Sequence, residues 1–191
     1  MSTSHPETLV RRTLRDATQA AHARVDDCMA RGCNDHADYR VYLCGMHAFV
    51  ASVLPAVDAQ AQAFGWSLPG WLDLLERDLA HVDGTTLPPE TATPASDRAH
   101  ALGCLYVIEG SSLGARVLLR QVRRLGHDAQ SGARFLHAHA DGESGSRWPR
   151  FLALLESAGS DPAMTAPACD AAVETFGLAE RCFRRAQEAL T

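Results

Sequence analysis

The 191-residue chain contains no lysine; all 18 of its basic residues are arginine. Any anion gripped by a cationic side chain is therefore gripped by a planar, multi-donor guanidinium, a geometry suited to carboxylates. Its six cysteines, Cys28, Cys33, Cys44, Cys104, Cys169 and Cys182, form no CxxC pair and no zinc-like grouping, which excludes a thiol redox motif or zinc finger and reads as buried free thiols in a reducing compartment. The opening Met-Ser-Thr-Ser-His-Pro lacks the basic-then-apolar form of a secretory signal. No uncharged apolar run reaches the roughly 18 residues that read as a membrane span, so the expectation is a cytoplasmic protein without a membrane partner. A formal net charge of −5 argues against nucleic acid, itself a polyanion. Strand alternation is missing too, as are internal repeats. What remains is an all-α chain forming a single domain over 1–191, with residues 1–6 expected to be flexible.

Apolar residues at helical spacing mark the elements. Val10, Leu14, Ala17, Ala21, Val25 and Cys28 stripe a first helix over about Pro6–Ala30, ended by Gly32. Asn34 or Asp35 caps a second helix, in which Tyr39, Tyr42, Leu43, Met46, Phe49, Val50 and Val53 precede a kink or break at Pro55 and an alanine-rich continuation to about Phe64. A short helix over Trp71–His81 follows, then a Pro- and Thr-rich loop over 83–95. A long helix runs from about Arg98 to just before Gly126. Residues 126–146 read as loop with one helical turn at Ala133–His137, and helices from Arg147 and after Pro162 close the chain.

The helix from Arg98 carries an oddity. Gly103, Gly110 and Gly114 each cost roughly 1 kcal/mol against alanine in a helix interior. Their spacings of seven and four residues keep them on one stripe, together with Tyr106. A glycine stripe permits close approach, either by a packed helix or by a ligand. In the first helix, Arg15 and His22 lie seven residues apart, on one face and about 10.5 Å apart along the axis. A neutral imidazole there ligates a metal or is merely a surface residue; the spacing allows both.

Three stretches carry a family resemblance. The segment Leu14-Arg-Asp-Ala-Thr-Gln-Ala-Ala-His-Ala-Arg-Val-Asp26 resembles the proximal helix of haem oxygenases, and Leu102-Gly-Cys-Leu-Tyr-Val-Ile-Glu-Gly-Ser-Ser-Leu-Gly-Ala-Arg-Val-Leu-Leu-Arg120 resembles their distal helix. Residues 132–155 are similar to the segment that follows it in bacterial, biliverdin-producing members, some of which are encoded beside bacterial phytochromes. The resemblance implies haem b as both substrate and prosthetic group, held between the two helices. It implies His22 as iron ligand, Arg15 and Tyr106 as propionate contacts, and Gly103, Gly110 and Gly114 as the stripe facing the ring. Ser111 and Ser112, between the last two glycines, would help order water. Glycine suits the family's chemistry, because a strong side-chain acid or base beside the iron diverts oxidation away from the porphyrin. The implied reaction consumes dioxygen and electrons from an external donor, a ferredoxin, flavodoxin or reductase, or ascorbate in vitro. It releases biliverdin, of the IXα isomer, with ferrous iron and carbon monoxide; a bacterial phytochrome is one taker for the biliverdin.

Two departures stand out. No aspartate lies between Gly110 and Gly114, and the position where the family often carries a distal basic residue holds Trp71, with Arg77 further on. Arg116, Arg120, Arg123 and Arg124 form a basic stretch read either as a solvated helix end or as a dock for an acidic electron donor. His137 and His139 read as a solvated pair in a loop, and His36, His47, His81, His100 and His127 show no partner at useful spacing. A di-iron ferritin-like enzyme is excluded by the absence of any Glu-x-x-His. A non-catalytic haem carrier or sensor of the same fold stays open.

Overall fold

Helix after helix buries one apolar stripe against a shared core, as the spacings require. The computed structural model describes residues 8–140, 147–158 and 162–190. Its helices are α1 (Leu9–Cys28), α2 (His36–Ala63), α3 (Trp71–His81), α4 (Arg98–Arg124), α5 (Arg134–Ala140), α6 (Arg147–Ala158) and α7 (Pro162–Leu190). Among the described residues there is no strand, only an isolated bridge between Asp128 and Gly132. The expected flexible segment 1–6 and the loop residues 141–146 lie outside the described residues.

The punctuation is physical. Asp35 caps α2 by accepting from the Asp38 N–H at 2.8 Å, and Asp97 caps α4 by accepting from the His100 N–H at 2.9 Å. Gly32 and Gly126 take up φ of +63° and +90° just beyond α1 and α4, a conformation that side chains resist. Of the kink or break expected at Pro55, the break does not occur: α2 continues to Ala63, matching the alanine-rich continuation expected to about Phe64. A helix-interior proline costs about 3 kcal/mol, but Val53, Val57 and Ala61 are fully or almost fully buried on both sides of it, and that packing holds the helix together. α2 and α4 are each long and apolar enough to cross a membrane, yet most of the apolar window of each, 67% and 56%, is buried inside the protein, as in core helices.

α7 is the common floor. α1 runs parallel along it: the His22 ring meets Phe176 at 5.2 Å, Arg24 Nε donates to Glu180 at 2.8 Å, and Gln187 Nε2 donates to the Cys28 carbonyl at 2.6 Å. α4 also packs against it: Thr175 bonds Cys104 at 3.3 Å, while Gly103 lies against Ala168 and Ala171. The expectation for Gly103 is thereby corrected. A Cβ on Gly103 would collide with the Ala168 carbonyl oxygen and come within 2.8 Å of Ala171 Cβ, so this glycine admits a helix, not a ligand. The stripe is real, but α7 closes its first position. Gly103→Ala is expected to lower unfolding free energy by up to about 2 kcal/mol in urea titration, the upper end of an overpacking cost of ~1–3 kcal/mol less the roughly 1 kcal/mol recovered in helix propensity.

Candidate active site

Beyond Gly103, the same stripe opens. A Cβ on Gly110 would touch only the Trp148 ring, at 3.5 Å, and one on Gly114 would meet nothing within 4 Å. Helix packing therefore does not account for these two glycines. At 100° per residue, Gly110, Leu113, Gly114 and Val117 fall within about 100° of the α4 circumference. Leu113 and Val117 are 46% and 49% exposed, an apolar strip left open among the described residues. Trp148 of α6 walls one side, tilted against the Tyr106 ring with centroids 5.7 Å apart. Such a strip, smooth in the middle and apolar at its edges, suits a flat apolar ligand.

On α1, His22 projects with 57% of its side chain exposed, backed by Phe176. Its Nδ1 lies 2.8 Å from Asp26 Oδ2, one helical turn on. A ring N–H held by a carboxylate fixes the tautomer and leaves the other nitrogen, Nε2, as a lone-pair donor, the arrangement found behind metal-ligating histidines. Haem fits these residues on two observations: an imidazole held through one nitrogen, and a glycine strip whose missing side chains leave room.

The remaining expected residues divide. Arg15 is on the His22 face of α1 and more than half exposed, with its guanidinium on Asp16 at 3.0 Å. Tyr106 is half-buried beside Trp148. Ser112 is turned away: it is 4% exposed, and its hydroxyl donates to the Glu109 carbonyl at 2.6 Å. A residue two steps from Gly110 sits about 200° around the helix, so Ser112 cannot share the open strip, and its expected role there is corrected. Ser111 sits at the margin, donating to the Ile108 carbonyl at 2.8 Å and lying 2.8 Å from His139 Nε2.

His139 is a second correction. It is no solvated loop residue but lies in α5, 1% exposed, stacked on Phe135 and edge-on to Trp71 at 4.8 Å. With the Ser111 proton committed to Ile108, His139 Nε2–H donates to Ser111. Burial, reinforced by the nearby Arg147 charge, pushes its pKa from 6.5 down to about 3, so it stays neutral. A histidine whose folded pKa is depressed stabilises the fold fully above the unfolded value of 6.5; that contribution is lost as pH falls from 6.5 toward 3. Urea unfolding at pH 5.5 is accordingly expected to give about 1.4 kcal/mol less than at pH 7.5 from this group, a difference that His139→Gln removes.

Behind the strip, Glu109 is 1% exposed and accepts from Trp66 Nε1 at 2.9 Å and Arg147 Nε at 3.1 Å. The Arg147 guanidinium lies over Trp66 at 4.8 Å and near Trp71 at 5.5 Å. This buried pair ties α6 to the residue preceding Gly110, with every charge partnered. Trp71 is thus a core residue supporting His139, while Arg77 stays on the surface, paired to Asp73 at 3.1 Å. Sequence reasoning missed Trp148, Glu109, Arg147 and His139, whose partners are distant in the chain. Asp26, at i+4 from His22, was within reach of helix periodicity.

Comparisons with known proteins bear on the family and the fold. The sequence model described as Heme oxygenase matches residues 74–185, a stretch that includes α4, α6 and most of α7 but not α1. A heme oxygenase of Xanthomonas campestris is 37% identical over 121 residues, 62% of this chain and 70% of that protein. The Pseudomonas aeruginosa heme oxygenase PigA is 43% identical over 58 residues, 30% of this chain and 29% of that protein. A heme oxygenase from Neisseria meningitidis, solved in NO- and CO-bound forms, superposes with a TM-score of 0.73 at 25% identity, spanning 95% of this chain and 92% of that one.

Proposed function

The chain belongs to the haem oxygenase family, and from that premise we propose that α1 and α4 clamp haem between His22 and the Gly110–Gly114 strip and that this chain cleaves it oxidatively to biliverdin. The observation that carries the site is the uncovered glycine strip, which no packing need explains. Bound haem, with dioxygen and external electrons, supplies the oxidation chemistry that yields biliverdin, ferrous iron and carbon monoxide.

The chain's own residues bind, orient and restrain. His22 ligates through Nε2 while Asp26 holds Nδ1–H. Gly110 and Gly114 let the α4 backbone lie close over the ring, with Leu113, Val117 and Trp148 as apolar borders. No ionisable side chain projects from the strip itself, so proton delivery there rests on ordered water and main-chain groups, with Ser111, anchored by His139, at the edge. Arg15 and Tyr106 hold the propionate edge and so fix which meso carbon is exposed to attack, giving the IXα isomer. Arginine is the only cationic side chain available for that grip. Electrons arrive from an acidic donor protein docking on the exposed Arg120, Arg123 and Arg124 end of α4 in the cytoplasm.

Mixing the purified chain with haem, ascorbate or a reductase, and dioxygen tests the reading against a non-catalytic carrier. Loss of the Soret band with growth of a biliverdin band is expected. A haem spectrum unchanged over hours under the same reductant contradicts the enzyme.

A further inference from the structure

Away from the glycine strip, three histidines distant in sequence meet at one end of the bundle. His36 opens α2, His81 ends α3, and His127 follows the Gly126 turn after α4. His127 Nε2 lies 3.3 Å from His36 Nδ1, with the two rings nearly perpendicular and their centroids 5.3 Å apart. The His81 ring centroid is 5.9 Å from that of His127, again close to perpendicular. We propose that His36, His81 and His127 form a surface site for a divalent transition-metal ion of the zinc class, bound through three neutral imidazoles.

The spacing is that of ligands. Two nitrogens each about 2.0–2.1 Å from one tetrahedral metal lie roughly 3.3 Å from each other, the separation found between His36 Nδ1 and His127 Nε2. Among the described residues no group of three or more His, Cys, Asp or Glu side chains is already arranged to hold a metal ion. The pair converges, and His81, exposed at the end of its helix, completes the set by side-chain rotation. A water fills the fourth position.

The scaffold holds the pair in place. The Gly132 α-carbon fits between two of the rings: a Cβ there would lie 2.6 Å from His127 Nδ1 and 2.7 Å from His81 Cδ2, and its φ is +79°. Glycine at 132 therefore lets both imidazoles close on one spot. Tyr39 fixes that turn, donating to the Gly132 carbonyl at 2.6 Å while its ring lies 5.2 Å from His127. His127 is further held by a hydrogen bond to the Ser131 main chain, while its Nε2 faces His36 Nδ1. That is how a protein presets the tautomer of a metal-ligating histidine.

Electrostatics favour the ligand form. Partial burial, then the neighbouring His36 and His81, lower the His127 pKa from 6.5, while Asp78 acts weakly the other way. Asp128, beside it, has its carboxylate engaged by the Gln130 and Ser131 N–H groups and the Ser131 hydroxyl. An all-imidazole set suits zinc, copper or nickel better than magnesium or calcium. A bound ion would tie the ends of α2 and α3 to the turn that leads into α5, the helix that carries His139.

Calorimetric titration of the full-length chain with zinc ion tests this. Wild type is expected to bind one zinc ion with an affinity that falls at least ~10-fold in each of His36→Ala, His81→Ala and His127→Ala, since even outer-shell losses cost 10–100-fold. His22→Ala, which alters the other imidazole site, is expected to keep the binding. Excess zinc is expected to raise the wild-type melting temperature, by preferential binding to the folded state, and not that of His127→Ala. Unchanged affinity in any of the three histidine variants, or no saturable binding to wild type, overturns the site.

Discussion

His22→Ala is expected to lose haem turnover by more than about 100-fold, beyond the 10–100-fold that disturbing an outer partner of a metal ligand costs. The reason is local. On α1, His22 alone combines exposure, a ring nitrogen held by a carboxylate at 2.8 Å, and backing by an aromatic from α7. The fold itself should survive, because a side chain that is more than half exposed buries little apolar area, and its edge contact with Phe176 is one of several that dock α1 on α7. Far-ultraviolet circular dichroism and urea midpoint are therefore expected to match wild type within a few tenths of a kcal/mol, while the ferric haem spectrum changes. Added imidazole, able to occupy the vacated position, is expected to restore the six-coordinate spectrum and part of the activity. Wild-type turnover in His22→Ala would remove it as the ligand.

The second large effect comes from Gly114, where stability and activity are expected to move in opposite directions. Among the described residues nothing lies within 4 Å of a Cβ placed there, so Gly114→Ala is expected to raise the unfolding free energy of the haem-free chain by up to about 1 kcal/mol through helix propensity. Gly114→Leu extends a branched side chain into the same space. The haem-free fold is expected to remain at least as stable as wild type, whereas turnover falls by an order of magnitude or more and the isomer composition of the biliverdin shifts. Gly103→Ala supplies the contrast on the same stripe, a loss of stability because α7 already occupies the space. Denaturation curves and product chromatography of the three variants separate the two kinds of glycine. Wild-type rates in Gly114→Leu would place the ligand surface elsewhere.

These two glycines show how far residue order carries the fold and the site. Helix positions follow from local rules: Asp35, one of two candidate caps, and Gly32 and Gly126 act where the sequence places the helix ends. The stripe through Gly103, Gly110 and Gly114 is likewise legible, since it depends only on 3.6 residues per turn. What closes on the stripe is not, because that depends on α7, some 65 residues downstream. Pro55 leaves kink and break open in the sequence for the same reason: its local cost is certain, while the burial that outweighs it comes from other helices. Histidines are hardest to read. His139 is buried against Trp71, and His36 meets His127 91 residues away; neither relation has a periodic signature. His22 is legible through motif resemblance and its i+4 partner Asp26, a relation that stays within a single helix.

The clamp itself is tested most directly by the crystal structure of the haem complex. The account predicts iron bound by His22 Nε2, Asp26 on Nδ1, and the Gly110–Gly114 backbone over the opposite face with Arg15 and Tyr106 at the propionates. Haem ligated by any other residue, or lying away from the α4 strip, would contradict it.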